Sequence, residues 1–592
     1  MVSTRVTPNS NQMPVNIVGS SDFGRYQKIS SEKTYNMFIT TNGASPGEET
    51  YEAWLIGFPG YRRVLNFVSP DDTPSTIPHT PNQLPLGSGR GLFKSTRGNF
   101  ALAVVGAIVY KITPNLTKIT VGIINSNSGE VFMAENLNGQ ICIVDGTNAY
   151  IYDYNVSSTL TIQTDGALGS HALIPGYVEY HNTFFLFGNN ATGANGSLWF
   201  AYKYSNNTPG SATAIVQVTP STLALQTKSD YALAVKRIPG AGNNVMVFGS
   251  TVAEIWTQVN TLQTYARNPS ANINYGCAST STIAEGGNYL AWLAINEDEN
   301  PVIMVYDGRQ ASRISTDGID YVLGQVKFPQ DSTAMLYQSD GHLLYQLTFY
   351  NPADNYTLLY DFTTQSFFNL SDQYLNYHPA RAFIYFNLKT YFISLNNAAF
   401  YELSSDITVI DENLAQDFGT TDYNSDLVYD MQRLRITSNI RQADSTRFRA
   451  NSLVITLEQG TDPDFSELDL IAAQGNWLIT EDLFNPANDP IVTEQGQQIL
   501  AEDATQSFQP NPPDANASLA FLPYIPRIDL AISRDGGITW SSYVSRNLHP
   551  IGQRQNILHW EGMGVANDLC FKFRFWGKHR FVVSQGLLDI VI

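Results

Sequence analysis

Positive charge is scarce in this chain. Its 592 residues carry 53 acidic against 34 basic side chains, a net charge of −19. A surface built to grip nucleic acid phosphates carries the opposite sign. An acidic one repels DNA and keeps the protein soluble, which suits a protein that DNA must pass without sticking. Cysteine is nearly absent. Cys142, Cys277 and Cys570 lie far apart, so they make neither a disulfide framework nor a zinc site. No run of 18 apolar residues exists to span a membrane. The opening MVSTRVTPNSNQMPVNIVGS has no apolar core of a signal peptide. Synthesis in a reducing cytoplasm is the expectation. Also missing are His-Glu-x-x-His, Gly-x-Ser-x-Gly, a P-loop and Gly-x-Gly-x-x-Gly. The eight histidines are scattered. No catalytic, cofactor-binding or metal site is predicted.

With 43% of hydrophobic residues the composition is a poor match to disorder. The length is too great for one core and points to two to four domains. Tyr (32), Phe (31) and Gly (43) are plentiful, and Asp-Gly and Asn-Gly pairs recur, which is the composition of a β protein with many tight turns. From about residue 91 to 403 one coarse unit repeats: a short apolar strand, a turn, and a second strand rich in aromatics. GNFALAVVGAIVYKIT (98–113) and NGQICIVDGTNAYIYDY (138–154) are examples. The starts lie roughly 40–60 residues apart with no helical period between them, which is the spacing of a β-propeller, here of about seven blades. Asp145, Asp307, Asp317 and Asp340 each precede Gly and read as turn formers. Residues 1–90 form an N-terminal extension. Within it YEAWLIGFPGYRRVL (51–65) has the character of a strand that closes the ring against the last blade. The Pro-rich 69–89 reads as an exposed loop.

Residues 404–426 are acidic and poor in core residues, and read as a linker. A second β-domain, sandwich-like, is expected over 427–592. In DLCFKFRFWGKHRFVVS (568–584), Phe571, Phe573 and Phe575 alternate with Lys572 and Arg574, so one face is buried and one is wet. An insert at 461–526 carries eleven acidic residues and no Lys or Arg. A long insert in a sandwich hairpin sits on the surface and either binds something or is disordered.

The most motif-like stretch is SRDGGITW (533–540). It fits Ser-x-Asp-x-Gly-x-Thr-Trp, the Asp box of sialidases and other propeller proteins. In such a box Asp535 accepts backbone N–H groups of the turn, with help from Ser533 and Thr539. Gly537 takes a positive φ and Trp540 packs beneath. It makes a stable hairpin and carries no catalytic group. Arg237-Ile238-Pro239 matches the Arg-Ile-Pro of sialidases, but no second Asp box appears. A glycan-binding or sialidase-like propeller is the alternative reading. Two basic clusters, Arg90, Lys94 and Arg97, and Lys572, Arg574, Lys578 and Arg580, are candidates to meet DNA phosphate or an acidic partner, or are simply solvated.

Order carries more than any single motif. YNMF (35–38) is followed by LIGFPGYRRV (55–64), RGLF (90–93) and NFALAVVGAIVYKI. A propeller comes next, then a β-domain with an Asp-Gly hairpin, and the chain closes on FKFRFWGKHRFVVSQGLLDIVI (571–592). This resembles the packaged-DNA stabilisation proteins, or tail hub and nozzle proteins, of short-tailed bacteriophages. The resemblance implies a structural virion protein assembled in the host cytoplasm and acting as a homo-hexamer below the portal and its adaptor ring. It implies a tube that retains DNA, gates its ejection, and docks tailspikes or fibres and a needle or plug. Duplex DNA would pass through the lumen without sequence-specific binding. It implies no catalytic residue.

Overall fold

The computed structural model describes residues 12–24, 30–41, 53–67, 87–156, 159–163, 173–204, 215–217, 223–259, 265–415, 427–442, 446–459, 527–548, 555–577 and 581–591. The insert 461–526, most of the Pro-rich loop, and Lys578 and Arg580 lie outside them.

The chain is all-β and its first large unit is a propeller. Antiparallel sheets follow one another along the chain. The first comprises Gly89–Lys94, Ala101–Val105, Ile108–Ile112 and Lys118–Ile123. The next two occupy Phe132–Ile162 and Pro175–Gln217. Further sheets run over Ala234–Ile273, Gly276–Arg313, Ser332–Leu370 and Ala380–Ser404. The first strand of each packs near that of the next, and Ala380–Phe386 returns to pack on Gly89–Lys94, so the ring closes. Strands of the sequence type ALAVV, QICIV and VIMVY are buried along their whole length because sheets cover both faces. The turns use the chemistry their sequence advertises. Asp340 (φ +48) and Gly341 (φ +85) both take the positive φ of a type I′ hairpin. Asp145 accepts the amides of Thr147 and Asn148 at 3.0 and 2.7 Å, and Asp307 those of Arg309 and Gln310 at 2.9 and 2.8 Å. Asp317 differs from expectation. It opens a helix, Asp317–Leu323, capped by Thr316 and anchored by buried Ile319 and Leu323. Two apolar anchors in seven residues are too short a pattern for sequence periodicity to register.

The ring is closed from the N-terminal side. Gly60–Asn66 pairs antiparallel with Ala399–Ser404, as the sequence of 51–65 suggested. On its other flank it pairs in parallel with Val409–Leu414. That second strand lies within the stretch expected to be a linker. Its composition is acidic, but Ile410 and Leu414 point inward and Glu412 is taken up by a 2.6 Å hydrogen bond from the Tyr401 hydroxyl. The acid is thus a core group, which charge counting alone cannot reveal.

The second unit is a β-sandwich. One layer orders Met37–Thr41, Ala53–Gly57, Phe581–Val591, Phe448–Gln459 and Gln555–Ala566, with Gln12–Val15 also on Phe581–Val591. The other contains Lys33–Tyr35, Arg433–Ile436, Cys570–Trp576, Arg527–Ser533 and Val544–Asn547. Phe571, Phe573 and Phe575 are buried between the layers with Trp560, Leu453, Ile455 and Leu530, while Lys572 and Arg574 face outward. Burying each phenyl contributes about 1.5–3 kcal/mol. N-terminal strands therefore complete this sandwich as well as the ring. Lys33–Tyr35 goes further: it pairs in parallel with Ser366–Leu370 of the propeller and antiparallel with Arg433–Ile436 of the sandwich. One sheet thus runs without a break from a blade into the second unit.

Candidate functional site: the propeller channel and the cationic face beside Asp535

First strands of the blades line a central cavity of about 670 Å³. That volume is of the order of a small-ligand pocket, about 300–1,000 Å³. Its charges are matched internally. Arg381 reaches Glu130 at 2.7 Å. Lys236 bonds Glu179 and lies 3.4 Å from Glu285, which also receives Arg237 at 3.0 Å. Burial disfavours the Lys236 ammonium, yet Glu179 beside it outweighs that cost and raises its pKa. Burial likewise opposes ionisation of Glu285, and Lys236 and Arg237 reverse it, so this carboxyl is held below its usual range. At Glu130 burial wins over Arg381 and the pKa is raised. The channel is a network of paired charges.

The first basic cluster divides. Arg90 is only 3% exposed and is a staple between loops. Its guanidinium donates to the carbonyls of Gly129 (2.7 Å), Gly106 (2.8 Å), Ser126 (2.7 Å) and Ser128 (2.5 Å), and to the Ser126 hydroxyl (2.8 Å). It has no group left for phosphate, which corrects the sequence reading of this residue. Burial pulls its pKa down to about 10, against the opposing pull of Asp145. Lys94 and Arg97 are exposed, and Arg97 donates to the Leu137 carbonyl.

The turn at 533–540 has the geometry of an Asp box. Ser533 is buried, donates to Asp535 at 2.7 Å and accepts from the Gly537 amide at 2.8 Å. Asp535 also accepts the amides of Ile538 (3.2 Å) and Thr539 (2.9 Å) and the Thr539 hydroxyl (2.6 Å). Gly536 and Gly537 sit at φ +77 and +90. Burial opposes the charge on Asp535, but the bonds from Thr539, Ser533 and Ile538 outweigh it and bring the pKa to about 2. The carboxylate is occupied by its own turn. Trp540 departs from expectation: it is half-buried, with the Lys572 ammonium 4.3 Å from its ring centroid. It roofs the turn against the strand instead of entering the core.

Lys572 and Arg574 belong to an outward sheet face. Arg574 stacks on Tyr543 at 3.6 Å and lies 5.4 Å from the Trp576 ring, which Arg527 also approaches at 5.7 Å. Asp529 takes bonds from Arg574 (3.1 Å), the Trp576 indole (2.7 Å) and Ser545 (2.6 Å). The alternation at 571–575 signalled the two cations. Lys33, Arg527, Tyr543 and Trp576 were not singled out, because strand pairing alone gathers them. Of the channel charges the sequence marked only Arg237, for its sialidase-like Arg-Ile-Pro, and here it pairs with Glu285; Glu130, Glu179, Lys236, Glu285 and Arg381 were missed. Their one trace is position: Glu179, Lys236, Arg237 and Arg381 fall on the first strand of their blades, and Glu130 lies just before one.

The all-β ring defines a propeller-bearing protein, and one comparison with known proteins matches part of that ring. Residues 221–408 match the family described as bacteriophage P22 Gp10, beta-propeller. This part of the chain is similar to the phage packaged-DNA stabilisation proteins, which supports the resemblance read from the order of its sequence features. No curated protein sequence matches it. Among solved structures, a catalytically inactive virginiamycin B lyase from Staphylococcus aureus with quinupristin is 10% identical, with a TM-score of 0.37 over 58% of this chain and 98% of that one. A streptogramin B lyase is also 10% identical, with a TM-score of 0.34 over 55% and 96%. Likenesses of this size say nothing of what the present chain acts on.

Proposed function

We propose that this protein is the tail hub subunit that closes the portal channel, retains packaged DNA and gates its release. Six copies form a ring that docks the adaptor above and tailspikes or fibres, with any needle or plug, below. The observation that carries this reading is the small propeller channel: a cavity of about 670 Å³ crossed by Arg381–Glu130 and Lys236–Glu179 pairs is no conduit for a duplex. DNA then has to run through a lumen enclosed by several copies. The charge of −19 supports retention by mechanical blockage, since phosphate binding needs cationic contacts and has a steep salt dependence. Particles assembled without the protein should package DNA and then lose it. Complete particles should hold it with weak dependence on salt. Encapsidated DNA measured across a salt series tests both points: stable full heads without the protein refute the assignment, and steep salt dependence refutes the mechanical plug.

A further inference from the structure

A chain of net charge −19 presents one sheet face that is cationic and aromatic. Strand pairing assembles it. Lys33 is opposite Ile436, Ile436 opposite Lys572, Leu434 opposite Arg574, and Arg574 opposite Asp529. Arg527 pairs with Trp576 at the end of the same two strands. Four cations therefore share a patch with Tyr543, Trp540 and Trp576, and Asp529 is the acid set among them. Asp529 is spread over Arg574, Trp576 and Ser545, and Arg527 approaches it at 3.5 Å, so it does not balance the patch. Among the described residues Lys572 faces no carboxylate at bonding distance. It lies over Trp540, and burial with Arg574 and Lys33 nearby depresses its pKa. Lys33 lies 5.8 Å from the Phe23 ring, and burial lowers its pKa as well. The Arg574 Nε is buried without a hydrogen-bond partner. Side chains of Arg574 and Arg527 remain 31% and 51% exposed. Arginine and lysine half-sunk among aromatic rings, with unspent donors, form a surface prepared for an anionic polypeptide.

We propose that the occupant is the chain's own acidic segment, residues 461–526, docked on the face formed by Lys33, Lys572, Arg574 and Arg527. Charge complementarity is the first ground: the segment has eleven acids and no Lys or Arg. Connectivity is the second. The segment rejoins the described chain at Arg527, itself a member of the face, so its acids are delivered there at high effective concentration with no span to bridge. Apolar residues such as Trp477, Leu478 and Phe484 supply groups to cover the aromatic rings.

Zero-length carbodiimide cross-linking of the unaltered chain, read by mass spectrometry, tests this directly. Lys33 or Lys572 should be joined to Asp or Glu between 461 and 526 within single copies. A second measurement replaces 461–526 by a short Gly-Ser loop and titrates labelled polyglutamate. The replaced chain should bind at least tenfold tighter than the intact chain at low salt, and Lys572→Glu with Arg574→Glu should remove that gain. Absent cross-links, links that join two copies, or equal polyglutamate binding by both chains would overturn the proposal. So would a replaced chain that binds a single-stranded oligonucleotide but not polyglutamate, since that would make the face a nucleic-acid surface.

Discussion

Asn36 and Ser371 hold each other across 335 residues of sequence: the Asn36 side chain donates to the Ser371 hydroxyl at 2.9 Å and accepts the Ser371 amide at 2.8 Å. The same side chain donates to the Gln432 carbonyl at 2.8 Å, and the Asn36 amide reaches the Asn369 carbonyl at 2.9 Å. Asn36 is fully buried and left-handed, at φ +54. It is the rivet between blade and sandwich. Asn36→Ala loses the side-chain bonds and keeps the backbone strain. It should cost about 3 kcal/mol, read as a lower urea midpoint. If the rivet couples the units, separate transitions should emerge.

Arg90 and Lys94 should behave oppositely although both were candidates for the same role. Arg90→Met strips donors from four backbone carbonyls and should cost about 3–5 kcal/mol. Exposed Lys94→Ala should stay within about 0.5 kcal/mol. Thermal unfolding of the two variants separates them, and equal melting points would show that the Arg90 contacts contribute nothing.

At the Asp box, Trp540→Ala should cost about 1–2 kcal/mol, below the 3–5 kcal/mol of a fully buried tryptophan. Its ring is only half-buried and its partner is the Lys572 ammonium. Melting of the variant beside the parent reads this.

Asp535 sets an acid limb. Its carboxyl falls from 3.8 to about 2 in the folded chain. A depressed folded value means the stability from this group is present above about 3.8 and is lost as pH falls toward 2. Asp535→Asn should flatten that part of the melting-temperature profile between pH 4 and 2, and a profile that keeps the parent's slope there would contradict it.

Gly60 sits where the closing strand meets its neighbour. An added Cβ would lie 2.3 Å from the Val409 carbonyl and 2.7 Å from its amide, both backbone atoms that cannot step aside. Gly60→Ala should loosen the joint between Gly60–Asn66 and Val409–Leu414, and limited proteolysis should cut first near residues 405–415.

Much of the propeller was legible because its strands advertise themselves. QICIV, an Asp-Gly turn and AYIYD can hardly be anything else, and the strength of 51–65 marked it for ring closure. Phe571, Phe573 and Phe575 spelled out a buried face. What stayed hidden depends on pairing across hundreds of residues. A strand as short as Lys33–Tyr35 carries no period, and Glu412 looks like linker charge until Tyr401 is seen bonded to it. Arg90 read as a surface cation, open to phosphate, an acidic partner or solvent, because sequence cannot tell a buried cation from a wet one. The Asp box was read correctly as a turn, but the depth of Trp540 depends on Lys572, which comes from a different strand.

The sheet that runs from blade to sandwich also sets a timetable for synthesis. Lys33–Tyr35 leaves the ribosome early, yet its partners at 366–370 and 433–436 are translated much later. At about 5–20 residues per second, the 335 residues between Asn36 and Ser371 take roughly 17–70 s. For that interval Lys33–Tyr35 has no mate, although its neighbour Met37–Thr41 can already pair with Ala53–Gly57. Gln12–Val15 waits longer still, for Phe581–Val591 at the far end of the chain. Such distant pairing makes for slow folding, and a nascent chain stalled before residue 430 would leave unpaired edges that invite association. The polar character of that early stretch, Thr34, Asn36, Thr40 and Thr41 among its apolar residues, would keep it in solution until its partners are made.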